Sequence, residues 1–127
     1  MPTLPNYPIA KQATANSCWA AAGRSINNFY QLLGKSGTNP AYASDQAFAD
    51  AWAKKTGNNT NKNINIQQSA SAALWSLKFK NNTDSAAVPT KQEITDAINA
   101  NQPLLAIVGG APPNPNPNTA YQNGHWV

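Results

Sequence analysis

The sequence predicts an α+β domain in which the helices come first and the strands last. Amphipathic helical patterns occupy most of the chain up to residue 101. Two short apolar segments typical of strands follow, residues 103–108 (PLLAIV) and residues 124–127 (GHWV). This order indicates an α+β architecture rather than alternating α/β units. A chain of 127 residues has the size of one domain, and we expect a single domain over residues 1–127.

The longest predicted helix runs from Cys18 to Leu33. Apolar residues recur in it at spacings of three and four, which places them on one buried face: Trp19, Ala22, Ile26, Phe29 and Leu33. Either Asn16 or Ser17 is expected to cap its start. Residues 1–15 hold three prolines and no helical period, and we expect them to form an extended arm over the domain.

Three further helices are predicted from their apolar patterns and end signals. One runs from Ser44 to Lys55, with a capping serine, an aspartate in the first turn and a glycine beyond its end. Another covers residues 67–78, with these apolar residues facing inward: Ala70, Ala73, Leu74 and Leu77. The last begins at the capping box Thr90-x-x-Glu93 and ends near residue 101.

The composition argues against several classes of function. No apolar run approaches the ~20 residues of a membrane span. The net charge of +4 includes nine basic residues spread along the chain, whereas a nucleic-acid surface needs cations clustered on one face. The single cysteine cannot form an internal disulfide or a multi-cysteine metal site. We therefore expect no membrane, nucleic-acid or metal partner, and no cofactor.

The segment from Gln12 to Ala22, QATANSCWAAA, contains the residues that suggest chemistry. A cysteine is nucleophilic as its thiolate, and the unpaired N–H groups and the dipole at a helix start stabilise that charge. A histidine can form an ion pair with the thiolate and later protonate the leaving group. The tetrahedral intermediate also needs hydrogen-bond donors for its oxyanion. The N–H of Cys18 and the side-chain amide of Gln12 can supply them.

These residues resemble the papain-like cysteine peptidases, and most of all the small papain-like peptidases of bacterial effectors. In that family a glutamine six residues before the nucleophile supplies the oxyanion hole, and the cysteine opens the long helix in a Cys-Trp-Ala context. Here Gln12 lies six residues before Cys18, which is followed by Trp19 and Ala20. The capped helix, the proline-containing apolar strand and the Gly-His-Trp-Val segment then come in the family's order.

The resemblance implies a site with three catalytic residues. Cys18 is the expected nucleophile, His125 the general base and Gln12 the oxyanion donor. The expected substrate-binding residues are their neighbours in the sequence: Trp19, Gly124 and Trp126. A lone cysteine or a lone histidine is more often an ordinary core or surface residue, and it is the combination with Gln12 that favours catalysis.

The family orients its histidine with an Asn or Asp on the next strand, and the sequence leaves the identity of that residue open. The chain stops two residues after His125, so we expect the closing strands of the sheet to be missing. Other residues could replace the orienting group, without any spacing that favours one of them: Asn123, Asn118 and Asp84. A truncated chain, a chain completed by a partner polypeptide and a remnant without turnover are the explanations left open.

The predicted function is hydrolysis of a peptide or amide bond through a thioester on Cys18, in a bacterial effector or toxin. The alternative is a catalytically incomplete papain-like scaffold that binds a partner or needs a complementing C-terminal segment. The implied partners are a peptide or protein substrate and a cognate inhibitor or immunity protein. The N-terminus lacks a signal-peptide pattern, so we expect delivery by a specialised secretion system, or otherwise a cytoplasmic location. The Pro-Asn loop at residues 111–118 is either a plain connector or one wall of the substrate cleft.

Overall fold

The computed structural model describes residues 3–14, 17–35, 39–57, 73, 77, 88–109 and 124–126. Within these residues the chain forms three helices and one pair of short antiparallel strands. The helices are α1 (Cys18–Leu32), α2 (Asp45–Thr56) and α3 (Lys91–Asn99), and the strands are β1 (Ile107–Gly109) and β2 (Gly124–Trp126). None of these helices is long and apolar enough to span a lipid bilayer.

Helix α1 begins at Cys18 as predicted and ends one residue earlier than predicted. Ser17 occupies the N-cap position, but its side chain makes no capping hydrogen bond to the helix. Its hydroxyl instead lies within hydrogen-bond distance of Thr14 and of Asp45, a residue of α2. Gly34 follows the helix with φ of +65°, a left-handed conformation that ends a helix without steric cost in glycine.

The end signals of the other two helices are confirmed. Ser44 caps α2 by accepting a hydrogen bond from the N–H of Ala47 at 3.1 Å, and Gly57 ends that helix with φ of +70°. The capping box of α3 is complete, because the side chains of Thr90 and Glu93 each accept from the other residue's backbone N–H. These signals are local in sequence, which is why the sequence predicts them well.

The first strand is shorter than predicted. Of residues 103–108 only the last two belong to β1, and residues 103–106 are not part of a strand. The end of α3 explains the difference, because Asn101 has φ of +56° and the N–H of Gln102 still donates to the carbonyl of Ala97. The following residues therefore lead the chain away from the helix before pairing begins. Strand β1 then pairs antiparallel with β2, with Val108 opposite His125.

Parts of two predictions lie outside the described residues. The helix predicted over residues 67–78 is described only at Ala73 and Leu77. Both residues are buried, as predicted, and the N–H of Leu77 donates to the carbonyl of Ala73 at 3.1 Å. The other two inward-facing positions of that helix and the Pro-Asn loop at residues 111–118 are not described.

An aromatic core joins α1 to α2. The indole ring of Trp19 lies with its centroid 5.8 Å from that of Trp52 and 6.0 Å from the ring of Phe48. Trp19 and Phe48 are almost completely buried, and Ala73 and Leu77 belong to the same cluster. This core fixes the N-terminal part of α1, and with it Cys18, against the second helix.

Gly23 allows the close approach of these two helices. A Cβ atom at Gly23 would lie 2.5 Å from Cζ and 2.8 Å from Cε1 of Phe48. The Phe48 ring is fully buried and packs edge-on against Tyr42 at 5.4 Å between centroids, so it has little room to move away. We expect Gly23→Ala to lower the free energy of unfolding by about 1–3 kcal/mol through overpacking. In an unhindered helix interior the same change would raise it by about 1 kcal/mol.

Chemical denaturation of Gly23→Ala, Phe48→Leu and the double variant tests this prediction. Leucine lacks the distal ring atoms that meet the new methyl group, so the double variant should lose less stability than the sum of the two single changes. Additive losses, or a more stable Gly23→Ala variant, would show that the ring has room to move.

Candidate functional site

Cys18 is the first residue of α1 and lies beside a groove of about 310 Å³. The groove is lined by the N-terminal arm, by one face of α1 and by the segment that precedes β1, and Gln12 belongs to the same lining. Its described walls are mainly apolar and contain no charged residue. Cys18 itself is 6% exposed. The structure thus brings two of the three predicted catalytic residues, Cys18 and Gln12, to one site.

The backbone N–H of Cys18 is a candidate hydrogen-bond donor at the start of α1. Among the described residues, none accepts a hydrogen bond from the N–H of Cys18, whereas the next turn is closed by donation from Ala20 and Ala21 to the carbonyl of Ser17. The first turn of α1 contains no acidic residue. Helix N-termini of this kind favour negative charge, because their N–H groups and the helix dipole point toward it. This end of α1 can therefore stabilise a thiolate or an oxyanion.

The Gln12 side chain is oriented by the loop that joins it to Cys18. Its Nε2 donates to the carbonyl of Thr14 at 3.0 Å. The same carbonyl accepts from the N–H of Ser17 at 3.2 Å, which turns the chain toward the start of α1. Gln12 and Cys18, six residues apart in the sequence, thus both line the groove.

His125 lies in the strand next to α1. Its backbone pairs with Val108 in the β1–β2 sheet, and Cα atoms of β2 come within 8 Å of Cα atoms of α1. The structure therefore places the strand that contains His125 alongside the helix that begins with Cys18. Gly124 and Trp126 lie in the same strand, opposite Gly109 and Ile107.

The structure places Trp19 differently from the sequence analysis. Its side chain is 1% exposed and packs between Phe48 and Trp52 in the core, so it cannot contact a substrate in this conformation. The reason is helical geometry, because the residue after Cys18 is rotated by about 100° around the helix axis and faces α2. The candidates for the residue that orients the histidine lie outside the described residues: Asn123, Asn118 and Asp84.

The arm is held against α1 by a buried serine. The Ser25 hydroxyl donates to the carbonyl of Ala21 at 2.9 Å and accepts from the N–H of Ala10 at 2.9 Å. A serine in mid-helix is expected to satisfy its hydroxyl in this way, by bonding back to the carbonyl of the preceding turn. The second bond attaches the arm and thereby forms one wall of the groove.

The buried carboxylate of Asp45 is a part of the site that the sequence does not predict. Its Oδ1 accepts from Nη2 and Nε of Arg24 at 2.8 and 3.1 Å, and its Oδ2 accepts from the N–H of Ala13 and the hydroxyl of Ser17 at 2.8 and 2.9 Å. From the sequence, Asp45 was expected to do no more than favour the positive end of a helix dipole. A signal did exist, because Arg24 is the only charged residue of α1 and a charge within a buried helix needs a partner.

Tyr7 forms part of the groove wall, and its burial raises the pKa of its phenol. Burial, with a smaller contribution from Tyr30, raises the pKa of Tyr7 from 10.0 to about 12. The ring packs against Phe29 with 5.2 Å between centroids, which accounts for the burial. A raised pKa means that folding favours the neutral phenol. This contribution to stability is complete below pH 10 and is lost as the pH rises through about 12.

An alkaline titration followed by phenolate absorbance tests this prediction. The folded protein should ionise later than the urea-unfolded chain, because burial also raises the pKa of Tyr30 and of Tyr42. Tyr7→Phe should remove the component that titrates last and reduce the loss of stability above pH 10. Superimposable folded and unfolded titration curves would contradict the burial of Tyr7.

Comparisons with protein-family models, curated proteins and solved structures found no match for this chain. The geometry around Cys18, Gln12 and β2 and the resemblance of the sequence motifs remain as the guides to function. A papain-like arrangement of the whole domain stays a prediction.

Proposed function

We propose that this chain is a papain-like α+β domain that hydrolyses a peptide or amide bond through a thioester on Cys18. One observation supports the proposal above all others: Cys18, at the start of α1, and Gln12, six residues upstream, both line the same groove. In the proposal Cys18 supplies the nucleophile and one oxyanion donor, its N–H, and the Gln12 amide supplies the other.

The proposed reaction follows the chemistry of activated thiols. The Cys18 thiolate attacks the carbonyl carbon of the substrate, and the developing oxyanion accepts hydrogen bonds from the Cys18 N–H and the Gln12 amide. His125 takes the thiol proton and gives it to the leaving amine. Water then attacks the thioester and releases the acid, with the histidine acting as its base. The substrate in this proposal is a peptide or a protein.

The burial of Cys18 favours a second candidate function. Cys18 is free and only 6% exposed, which is typical of a cysteine that serves as a small buried apolar residue. In this alternative the chain is a papain-like scaffold that binds a peptide or protein in the same groove and performs no chemistry. The two candidates differ in whether Cys18 forms a covalent adduct.

Trapping of the covalent intermediate distinguishes them. The parent chain and Cys18→Ala are each mixed with a mixture of unfolded proteins and with a peptide that has a thiol-reactive group at its C-terminus. The proposal predicts new peptide ends and a mass increase on Cys18 in the parent, and neither in Cys18→Ala. Binding of the peptide without an adduct would support the scaffold, and hydrolysis that survives in Cys18→Ala would exclude Cys18 as the nucleophile.

A further inference from the structure

Asp45 binds both ends of the segment that contains the proposed oxyanion donors. That segment runs from Gln12 to Cys18, whereas Asp45 lies at the start of α2. Its Oδ2 accepts from the N–H of Ala13 at 2.8 Å and from the Ser17 hydroxyl at 2.9 Å. Ala13 directly follows Gln12, and Ser17 directly precedes Cys18. A single carboxylate oxygen thus fixes the separation of the two residues that adjoin the donors.

Hydrogen bonds within the segment extend this link to the Gln12 amide. The Ser17 hydroxyl lies 2.9 Å from Oδ2 of Asp45 and 3.0 Å from the carbonyl of Thr14, and it has one proton to donate. The ionised carboxylate is the stronger acceptor. The hydroxyl therefore donates to Asp45 and accepts from the Thr14 N–H at 3.0 Å. The Thr14 carbonyl accepts from Nε2 of Gln12 at 3.0 Å and from the N–H of Ser17 at 3.2 Å.

Arg24 allows a carboxylate to occupy this position. The Asp45 side chain is fully buried, and its second oxygen accepts two hydrogen bonds from the guanidinium of Arg24. An unpaired buried carboxylate would be strongly destabilising. The pairing also cancels the negative charge that would otherwise oppose a thiolate at the neighbouring start of α1.

We propose that Asp45, paired with Arg24, is a positioning residue that holds the Gln12 amide and the Cys18 N–H in the geometry that receives the oxyanion. The inference rests on the proposed function of the same site. Asp45 does not touch the substrate and acts only through the segment that it binds. Its loss should therefore lower kcat, which depends on the transition state, and leave KM nearly unchanged.

Asp45→Asn in the full chain tests the inference, with Asp50→Asn as the matched control on the exposed face of α2. The asparagine amide replaces one carboxylate oxygen with an NH₂ group. In one orientation this group faces the N–H donors of Arg24, and in the other it faces the N–H of Ala13 and the hydroxyl of Ser17. Donor therefore meets donor in both orientations. We expect kcat for peptide hydrolysis to fall by about 10–100-fold, KM to change by less than about 2-fold, and alkylation of Cys18 by iodoacetamide to stay close to that of the parent. Asp50→Asn should match the parent in all three.

Ser17→Ala provides a second variant that keeps the Asp45–Arg24 pair and removes one link to the segment. This variant should fold and show a smaller fall in kcat, about 3–10-fold. If Asp45→Asn does not fold, the kcat of Ser17→Ala tests the positioning role of Asp45. Hydrogen exchange adds a structural readout. The N–H of Ala13 donates to the Asp45 carboxylate, so it should exchange faster in Asp45→Asn than in the parent, and at the parental rate in Asp50→Asn.

The outcomes separate this inference from the proposed function. Parental kcat in a folded Asp45→Asn variant, or parental kcat in Ser17→Ala when Asp45→Asn does not fold, would overturn the inference alone. A parent chain that forms no adduct and cleaves no peptide would overturn the proposed function and the inference with it.

Discussion

Gln12→Ala is expected to reduce turnover by about 10²–10³-fold, the usual effect of removing one oxyanion donor. Gln12 lines the groove with Cys18, and its side-chain amide donates a hydrogen bond to the carbonyl of Thr14. It does not generate the thiolate, so the rate at which Cys18 reacts with iodoacetamide should be nearly unchanged. For each variant, two rates are measured in parallel: hydrolysis of a peptide that the parent cleaves, and alkylation of Cys18.

Gln31→Ala is the matched control for this measurement. Gln31 is exposed near the far end of α1, so its loss removes the same chemical group without touching the groove. Its turnover and alkylation should both match those of the parent. A Gln12→Ala variant with parental turnover, or with alkylation reduced as much as turnover, would exclude Gln12 as an oxyanion donor.

Trp19→Ala is expected to lower the free energy of unfolding by about 3–5 kcal/mol, which is typical of truncating a large buried aromatic residue. The side chain is 1% exposed and contacts the rings of Phe48 and Trp52 between α1 and α2. Small domains have a free energy of unfolding of only about 5–15 kcal/mol, so this loss is a large part of the total stability. Urea denaturation followed by circular dichroism measures the loss.

Trp19→Phe is the control for the aromatic core, since phenylalanine fills much of the same volume and needs no hydrogen-bond partner. It should lose less stability than Trp19→Ala. A loss below about 1 kcal/mol in Trp19→Ala would fit a surface side chain. That result would support the prediction from sequence that Trp19 is a substrate-binding residue.

The helix ends could be predicted from sequence because they depend on neighbouring residues. A capping serine, a glycine in the left-handed region and the Thr90–Glu93 capping box each require contacts within one turn of chain. The juxtaposition of Gln12 and Cys18 is similarly local, since only a short loop separates them. The helix ends follow from local backbone geometry, whereas the separation of Gln12 and Cys18 also depends on the contacts that Asp45 of α2 makes with Ala13 and Ser17.

The contacts that sequence could not predict are those between distant elements. Nothing in the spacing of Arg24 and Asp45 indicates that they pair, and the network through Ser17 replaces the capping bond expected of that serine. Trp19 is turned into the core by the position of α2. For Ser17 and for the Arg24–Asp45 and Trp19 contacts, tertiary packing decides between options that the local sequence permits. Strand β1 starts later than its apolar pattern suggests for a local reason, because the N–H of Gln102, beyond the end of α3, still donates to the carbonyl of Ala97.

We propose that Cys18 is an activated nucleophile paired with His125. The most direct test is the rate of Cys18 alkylation from about pH 5 to about pH 9 in the parent and in His125→Ala, a range that spans activated and ordinary thiols. The proposal predicts rapid alkylation of the parent well below neutral pH, and a pH profile that changes when His125 is replaced. An unreactive cysteine would contradict the claim. So would identical profiles that rise only near pH 8.5, as for a free thiol.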